Sequence, residues 1–399
     1  MPAVCLVYQK MLISEQKARE TLNYSIHTLE LRKKLTQDEF RRLISSENSD
    51  IIYNKSSNNG VSVKKYYYTN DNLKNNGINI TITQITGNQN HPFYKYYVSF
   101  RIDPNKTIGI SSYYNIIYPK HIPEFIKCCR RILQDFGFIK KTLNELKLHR
   151  IDLCVNAVIN TEASYYIAQA HRLPLPKGFS ETYSKEKKEK CKYNANASFD
   201  KTNESRGISI SLYDKIHAIP NEYQLSNIEE KYLLTLPHNC LRLEVRLSRQ
   251  YIRTYNKMYN DNTEELIKHF TDNSKTLIQK EAGKIFFRTG AIVTADIAKY
   301  YVSHQSYNSH KTSVMLDYIS RIQKHYTFNA AYQKFCLTHS ERQKCLLEYF
   351  YDVGISPIPI GINKNIKFLH SYGYIFDIFP VLQQFKEDRI QEEIRKKVM

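Results

Sequence analysis

A chain of 399 residues with 42% hydrophobic and 24% charged residues is too apolar for wholesale disorder and long enough for a large core and two or more domains. Lys and Arg total 58 against 39 Asp and Glu, a formal charge of +19; long-range attraction then favours a polyanion, most economically nucleic acid, although a generally basic surface gives the same sum. No run approaches the roughly 18 uncharged apolar residues that a bilayer span needs, and the eight cysteines show neither CxxC nor Cys/His zinc spacing. With no secretory leader they read as reduced thiols of a protein in the cytosol.

Residues 1–60 show little pattern: an apolar start at 4–8, a charged, helix-permitting segment at 36–43, and a polar stretch at 46–60 with SSENSD and KSSNNG that reads as a loop. Residues 61–68, 78–85 and 94–102 are rich in β-branched and aromatic side chains and are separated by NDNLKNNG and TGNQNHP. Such runs between turn formers predict an antiparallel meander. At Ile122 the period changes: Pro123 suits a first helical turn, and Phe125, Ile126, Cys129, Ile132 and Leu133 recur on one helical face. A strand follows at 148–159, then a helix at 163–171 closed by LPLPKG. The run KEKKEKCK at 185–192 reads as a solvated face, with contact to a DNA backbone as a second possibility. Beyond the strands at 207–217 and 241–247 the chain turns helix-permitting. Val314, Met315, Tyr318, Ile319 and Ile322 mark one amphipathic face, and Cys345, Leu346, Tyr349 and Phe350 another. ISPIPIG breaks the pattern within 354–361, and 381–399 reads as a charged terminal helix. The expected layout is α+β: an N-terminal segment (1–60), an antiparallel-sheet catalytic domain (61–250) and a mainly helical C-terminal domain (251–399).

Three strands carry the chemistry. In GISISLYDKIH, Ile208, Ile210 and Leu212 alternate with Ser209, Ser211, Tyr213, Lys215 and His217. Arg150 and Asp152 alternate with Ile151, Leu153 and Val155, and Arg242, Glu244 and Arg246 with Leu241, Leu243, Val245 and Leu247. Side chains two apart share a face, so if the strands share a sheet, a phenol, two carboxylates and several cations share its polar side. Any one of these residues alone is more often an ordinary ion-pair or packing residue; three strands with the same division shift the balance. The set suits attack on a phosphodiester. Asp152 and Glu244 are oxygen donors for a Mg2+ or Mn2+ ion, and the phenol of Tyr213 needs a metal, Lys215 or a base to favour its phenolate. Arg150, Arg242 and Arg246 can hold phosphates, or equally pair with the acids beside them.

The order HRID, SLYDK, LRLEVR resembles the replication initiators of filamentous phages, the gene II protein family and related phage and plasmid replication proteins. There, too, an R-I-D strand precedes a Tyr-x-Lys strand and an R-x-E strand. RLSRQYIRTY at 246–255, YISRI at 318–322 and LLEYFYDVGIS at 346–356 extend the likeness over most of the chain after residue 75. The resemblance implies a rolling-circle-initiator-like tyrosine nuclease that nicks one strand of a phage or plasmid origin, with Tyr213 as nucleophile, Lys215 as its electrostatic assistant, and Asp152 and Glu244 as metal ligands. A host helicase and polymerase in the bacterial cytoplasm would then be its partners. The His-hydrophobe-His metal triplet of many such nucleases is absent; His149 and His217 only flank the motifs. Three other readings stand beside this one: a hydrolytic nuclease using Asp152 and Glu244, a non-catalytic nucleic-acid-binding module, and a conjugative relaxase of related chemistry.

Overall fold

The computed structural model describes residues 22–45, 49–56, 61–87, 93–109, 116–181, 198–222, 239–286, 290–304, 308–360, 366–377 and 381–398. Its centre is a ten-stranded sheet in which every pairing is antiparallel. The strands are β1 (Tyr24–Leu35), β2 (Ser49–Ser56), β3 (Ser62–Tyr68), β4 (Ile78–Thr86), β5 (Tyr94–Ile102), β6 (Lys147–Val158), β7 (Ser180–Glu181), β8 (Ser198–Asn203), β9 (Ile208–Asp214) and β10 (Cys240–Ser248). Their order across the sheet is β2-β3-β4-β5-β1-β6-β10-β9-β8-β7. The meander β3-β4-β5 forms as expected, and β1 inserts beside it to join it to the three motif strands.

One face of the sheet is apolar. Leu29, Leu31, Ile80, Phe100, Ile151, Leu153, Leu212, Leu243 and Val245 are all buried, as alternation requires of a sheet covered on one side. Helices cover that face: Arg249–Asn256, Thr263–Asp272 and Ser274–Phe286 pack between them on β1, β6 and β10. The helices following residue 250 thus share the core of the sheet. The helix Ile122–Asp135 buries Ile122, Phe125, Ile126, Cys129, Ile132 and Leu133, the face that the spacing predicts. Farther along, Ser309–His325 buries all five expected residues, Val314, Met315, Tyr318, Ile319 and Ile322. Gln343–Val353 ends at Gly354, whose φ of 86° is the left-handed cap that glycine adopts most easily. Val381–Val398 forms the terminal helix.

Three expectations need correction. The polar stretch 46–60 is not a loop throughout: Ser49–Ser56 pairs with β3, its Ile-Ile-Tyr centre outweighing the polar flanks. Residues 24–35, within a region that shows little pattern in sequence, form the long strand β1 near the middle of the sheet. The strand through 217 stops at Asp214, because the Asp214 carboxylate accepts the backbone N–H of Ile216 at 2.9 Å and that of His217 at 3.4 Å. An Asp in that position starts a helix, so Lys215 opens the helix Lys215–Glu222 instead of extending the polar stripe of β9. The apolar start at 4–8, the basic run 185–192 and residues 223–238 lie outside the described residues.

Candidate active site

The register sets three rungs across the polar face. Thr28 lies opposite Asp152, Asp152 opposite Arg246, and Arg246 opposite Ser209. Cys154 faces Glu244, Glu244 faces Ser211, and Ser211 faces Asp200. Asn156 faces Arg242, and Arg242 faces Tyr213. Tyr213 and Glu244 are therefore diagonal neighbours, within reach of a long side chain. Gly207 fixes the start of β9. Its φ is +67°, a Cβ there would collide with Ser248 Oγ, and its carbonyl accepts the Ser248 N–H at 2.8 Å.

Glu244 is the hub. Its side chain is nearly buried, and Oε1 accepts the Tyr213 hydroxyl at 2.5 Å. The same oxygen lies 2.8 Å from His27 Nδ1 and 3.8 Å from Arg242 Nη1. Burial alone raises a carboxylate pKa; here His27, Arg242 and the Tyr213 hydroxyl outweigh it and hold Glu244 well below the usual range. His27 reaches the site because β1 slips register between Ile26 and Thr28 where it pairs with β6. A bulge of this kind leaves one residue unpaired and re-aims its side chain.

Asp152 is 1% exposed and enclosed by donors. Arg150 holds both oxygens, with Nε 2.8 Å from Oδ1 and Nη2 on Oδ2. Arg246 Nε donates to Oδ1 at 3.2 Å and Thr28 Oγ1 to Oδ2 at 3.2 Å. Burial works against the Arg150 charge, but its bonds to Asp152 prevail and raise its pKa. Arg242 is also buried and donates Nε to Asn156 Oδ1 at 2.6 Å. Lys215 is fully buried. Burial pushes the Cys240 thiol up to about 12 and raises Cys154 too, while the charges of Arg242 and Lys215 pull both down.

Tyr213, Asp152, Glu244, Arg150, Arg242 and Arg246 thus share one face. Tyr213 is only partly buried, and Arg246, with a side chain 40% exposed, is the more accessible of the two cations on Asp152. The Mg2+ or Mn2+ expectation divides between the two acids. Glu244 is an oxygen donor of suitable chemistry, but its Oε1 already takes the Tyr213 hydroxyl and lies 2.8 Å from His27 Nδ1, and an imidazole is a poor ligand for Mg2+. Asp152 does not fit, since two guanidinium groups and a hydroxyl already occupy both its oxygens. Among the described residues, no group of three His, Cys, Asp or Glu side chains is placed to hold a metal.

Sequence reasoning missed His27, Thr28 and Asp200, whose Oδ1 accepts from Ser211 Oγ at 2.5 Å. A signal for the first two exists. In YSIHTLEL, apolar Tyr24 and Ile26 are even-numbered and Leu29 and Leu31 are odd, so the alternation changes phase across His27–Thr28. Of the flanking histidines, His149 contacts Arg32 and Glu30, and His217 is exposed at the solvent side of its helix. No protein-family model matches the chain, and no curated protein matches it.

Proposed function

We propose that this chain is a rolling-circle replication initiator, a DNA nickase that cuts one strand by tyrosine transesterification. One observation carries the reading: the Tyr213 phenol donates to the buried carboxylate of Glu244 on a solvent-reachable sheet face rich in guanidinium groups. In the proposed step the Tyr213 hydroxyl releases its proton to water, its oxygen attacks a backbone phosphorus, the P–O3′ bond breaks, and the departing 3′ oxygen takes up a proton from water. The products are a 5′-phosphotyrosine and a free 3′-OH. The reverse attack by that hydroxyl reseals the strand, because the phosphotyrosine conserves the energy of the broken bond.

Glu244 orients the phenol for this attack. It is a weak base for the purpose, because a carboxylate held well below its usual range has little affinity for the proton of a phenol. Positive charge must therefore favour the phenolate, and Lys215, buried at the start of the helix two residues after Tyr213, is the cation the chain supplies nearby in sequence. A Mg2+ or Mn2+ ion held through Glu244 would supply further charge to the reacting phosphate. Arg246 is free to exchange part of its contact with Asp152 for a phosphate, since its side chain reaches solvent. Asp152 then keeps the guanidinium groups in place, a positioning role in place of metal ligation.

Incubation of the chain with supercoiled DNA bearing its origin, resolved in SDS, tests the proposal. The expected result is an open circle carrying covalent protein, with Tyr213→Phe abolishing both products and leaving binding nearly intact. Nicks with free 5′ phosphates made by Tyr213→Phe would select hydrolysis; unaltered supercoils with Mg2+ or Mn2+ supplied would leave only a binding module.

A further inference from the structure

The polar face does not end at the catalytic strands. It runs through β1 into β5, β4 and β3, where Glu30, Arg32 and Lys34 lie opposite Arg101, Ser99 and Tyr97. Asn79, Thr81 and Thr83 of β4 continue the rungs to Tyr67 and Lys65 of β3. Lys34, Lys65, Asn79 and Arg101 are exposed and Tyr67 is 42% exposed, whereas Thr83 and Ser99 between them are buried. β3, β4 and β5 contain no acidic residue. On β1, the single carboxylate of this face, Glu30, lies 3.5 Å from His149 Nδ1.

Arg32 joins the two halves. Its guanidinium sits over the Tyr97 ring at 4.8 Å, donates Nε to Ser99 Oγ at 3.1 Å, and places Nη1 3.1 Å from His149 Nε2 on β6. The Tyr97 ring is thereby held on the platform. From β9 to β3 the face crosses six inter-strand steps, roughly 29 Å at about 4.8 Å each.

We infer that this outer half-sheet is the docking platform for a single DNA strand leading to or from Tyr213. Exposed cations track a phosphate backbone, and ring faces presented from a sheet stack on bases that only an unpaired strand can offer. Charge complementarity and the two tyrosines select this occupant over an acidic protein, which offers no bases to stack. The placement rests on reading Tyr213 as a DNA nucleophile.

The test uses the full chain with Tyr213→Phe, so that no covalent product accumulates, and a labelled oligothymidylate titrated over a range of salt. Lys34→Glu combined with Arg101→Glu is expected to weaken binding at least tenfold and to reduce the slope of log affinity against log salt by about 0.7 per cation. Tyr67→Ala is expected to weaken it roughly five- to hundredfold without altering that slope. All three positions are exposed, and thermal melts matching the parent identify folded variants. Affinities within twofold of the parent overturn the platform, as does a duplex that competes equally with the oligonucleotide. A wild-type chain that forms the adduct while the charge reversals leave oligonucleotide binding unchanged keeps the nucleophile and overturns the platform. Binding through these residues with no adduct keeps the platform and overturns the nickase.

Discussion

At Glu244 and Asp152, two buried carboxylates solve the same problem with different partners. An ionised carboxylate at this depth is tolerated only where donors replace water. Asp152 is compensated by Arg150 and Arg246, whereas Glu244 is compensated by an imidazole, a more distant guanidinium and the phenol itself. The first arrangement carries a net charge of +1; the second includes a phenol that is only partly buried. Asp152→Asn strands two guanidinium groups, and a loss of about 3–5 kcal/mol in urea unfolding is expected. His27→Ala should leave the fold standing but let the carboxylate shift. Because small misplacements of a reacting group are costly, adduct formation should fall roughly a hundredfold. His27→Gln, which keeps a donor, should recover most of it, and a gel assay of the adduct separates the two variants.

The strand β1 shows what single elements conceal. The strands at 78–86, 94–102, 147–158, 208–214 and 240–248 are readable from their alternation and turn formers, which puts Tyr213, Asp152 and Glu244 each on the polar side of its own strand. In β1 the change of phase at His27 breaks the period, and Lys33–Lys34 masks its end, so both the strand and the histidine it delivers escape. The helix opening at Lys215 escapes for another reason, since a capping aspartate inside an alternating run overrides the period locally. Register cannot be read from any strand alone, because it depends on the pairing partner. A second irregularity of β1 and β6, between Glu30 and Leu31, passes His149. Burial lowers the His149 pKa, the Arg32 charge lowers it further, and Glu30 only partly opposes them. Below about pH 6.5 the unfolded chain then binds a proton that the folded chain resists. Stability should fall as pH drops from 6.5 through the lower folded value, with no contribution above 6.5. Urea midpoints between about pH 7 and pH 5 should show this limb, and His149→Gln should flatten it.

For the molecule as a whole, the question is how firmly the helical region is joined to the sheet that carries the site. The buried apolar residues form one cluster from Tyr24 to Ile390, and polar contacts reinforce the junction. The Tyr372 hydroxyl donates to the Tyr166 carbonyl at 2.5 Å, and Tyr24 donates to the Phe376 carbonyl. Arg172, 4% exposed, does most to tie the two regions. Nε donates to the Tyr326 carbonyl at 2.8 Å, and Nη1 donates to Gln169 Oε1 at 3.0 Å and to the Pro359 carbonyl at 2.5 Å. Its own carbonyl accepts the Phe328 N–H at 3.0 Å, and its guanidinium lies 4.6 Å from the centre of the Tyr326 ring. Burial costs this cation enough to lower its pKa, so its retention reflects the acceptors it satisfies. Arg172→Met keeps much of the side-chain volume and strands those acceptors, each costing about 1–3 kcal/mol. Because one core spans both regions, the variant should unfold in urea at a lower midpoint yet still in a single transition by circular dichroism and tyrosine fluorescence. Two separated transitions would show instead that Arg172 is the joint between independently folding halves.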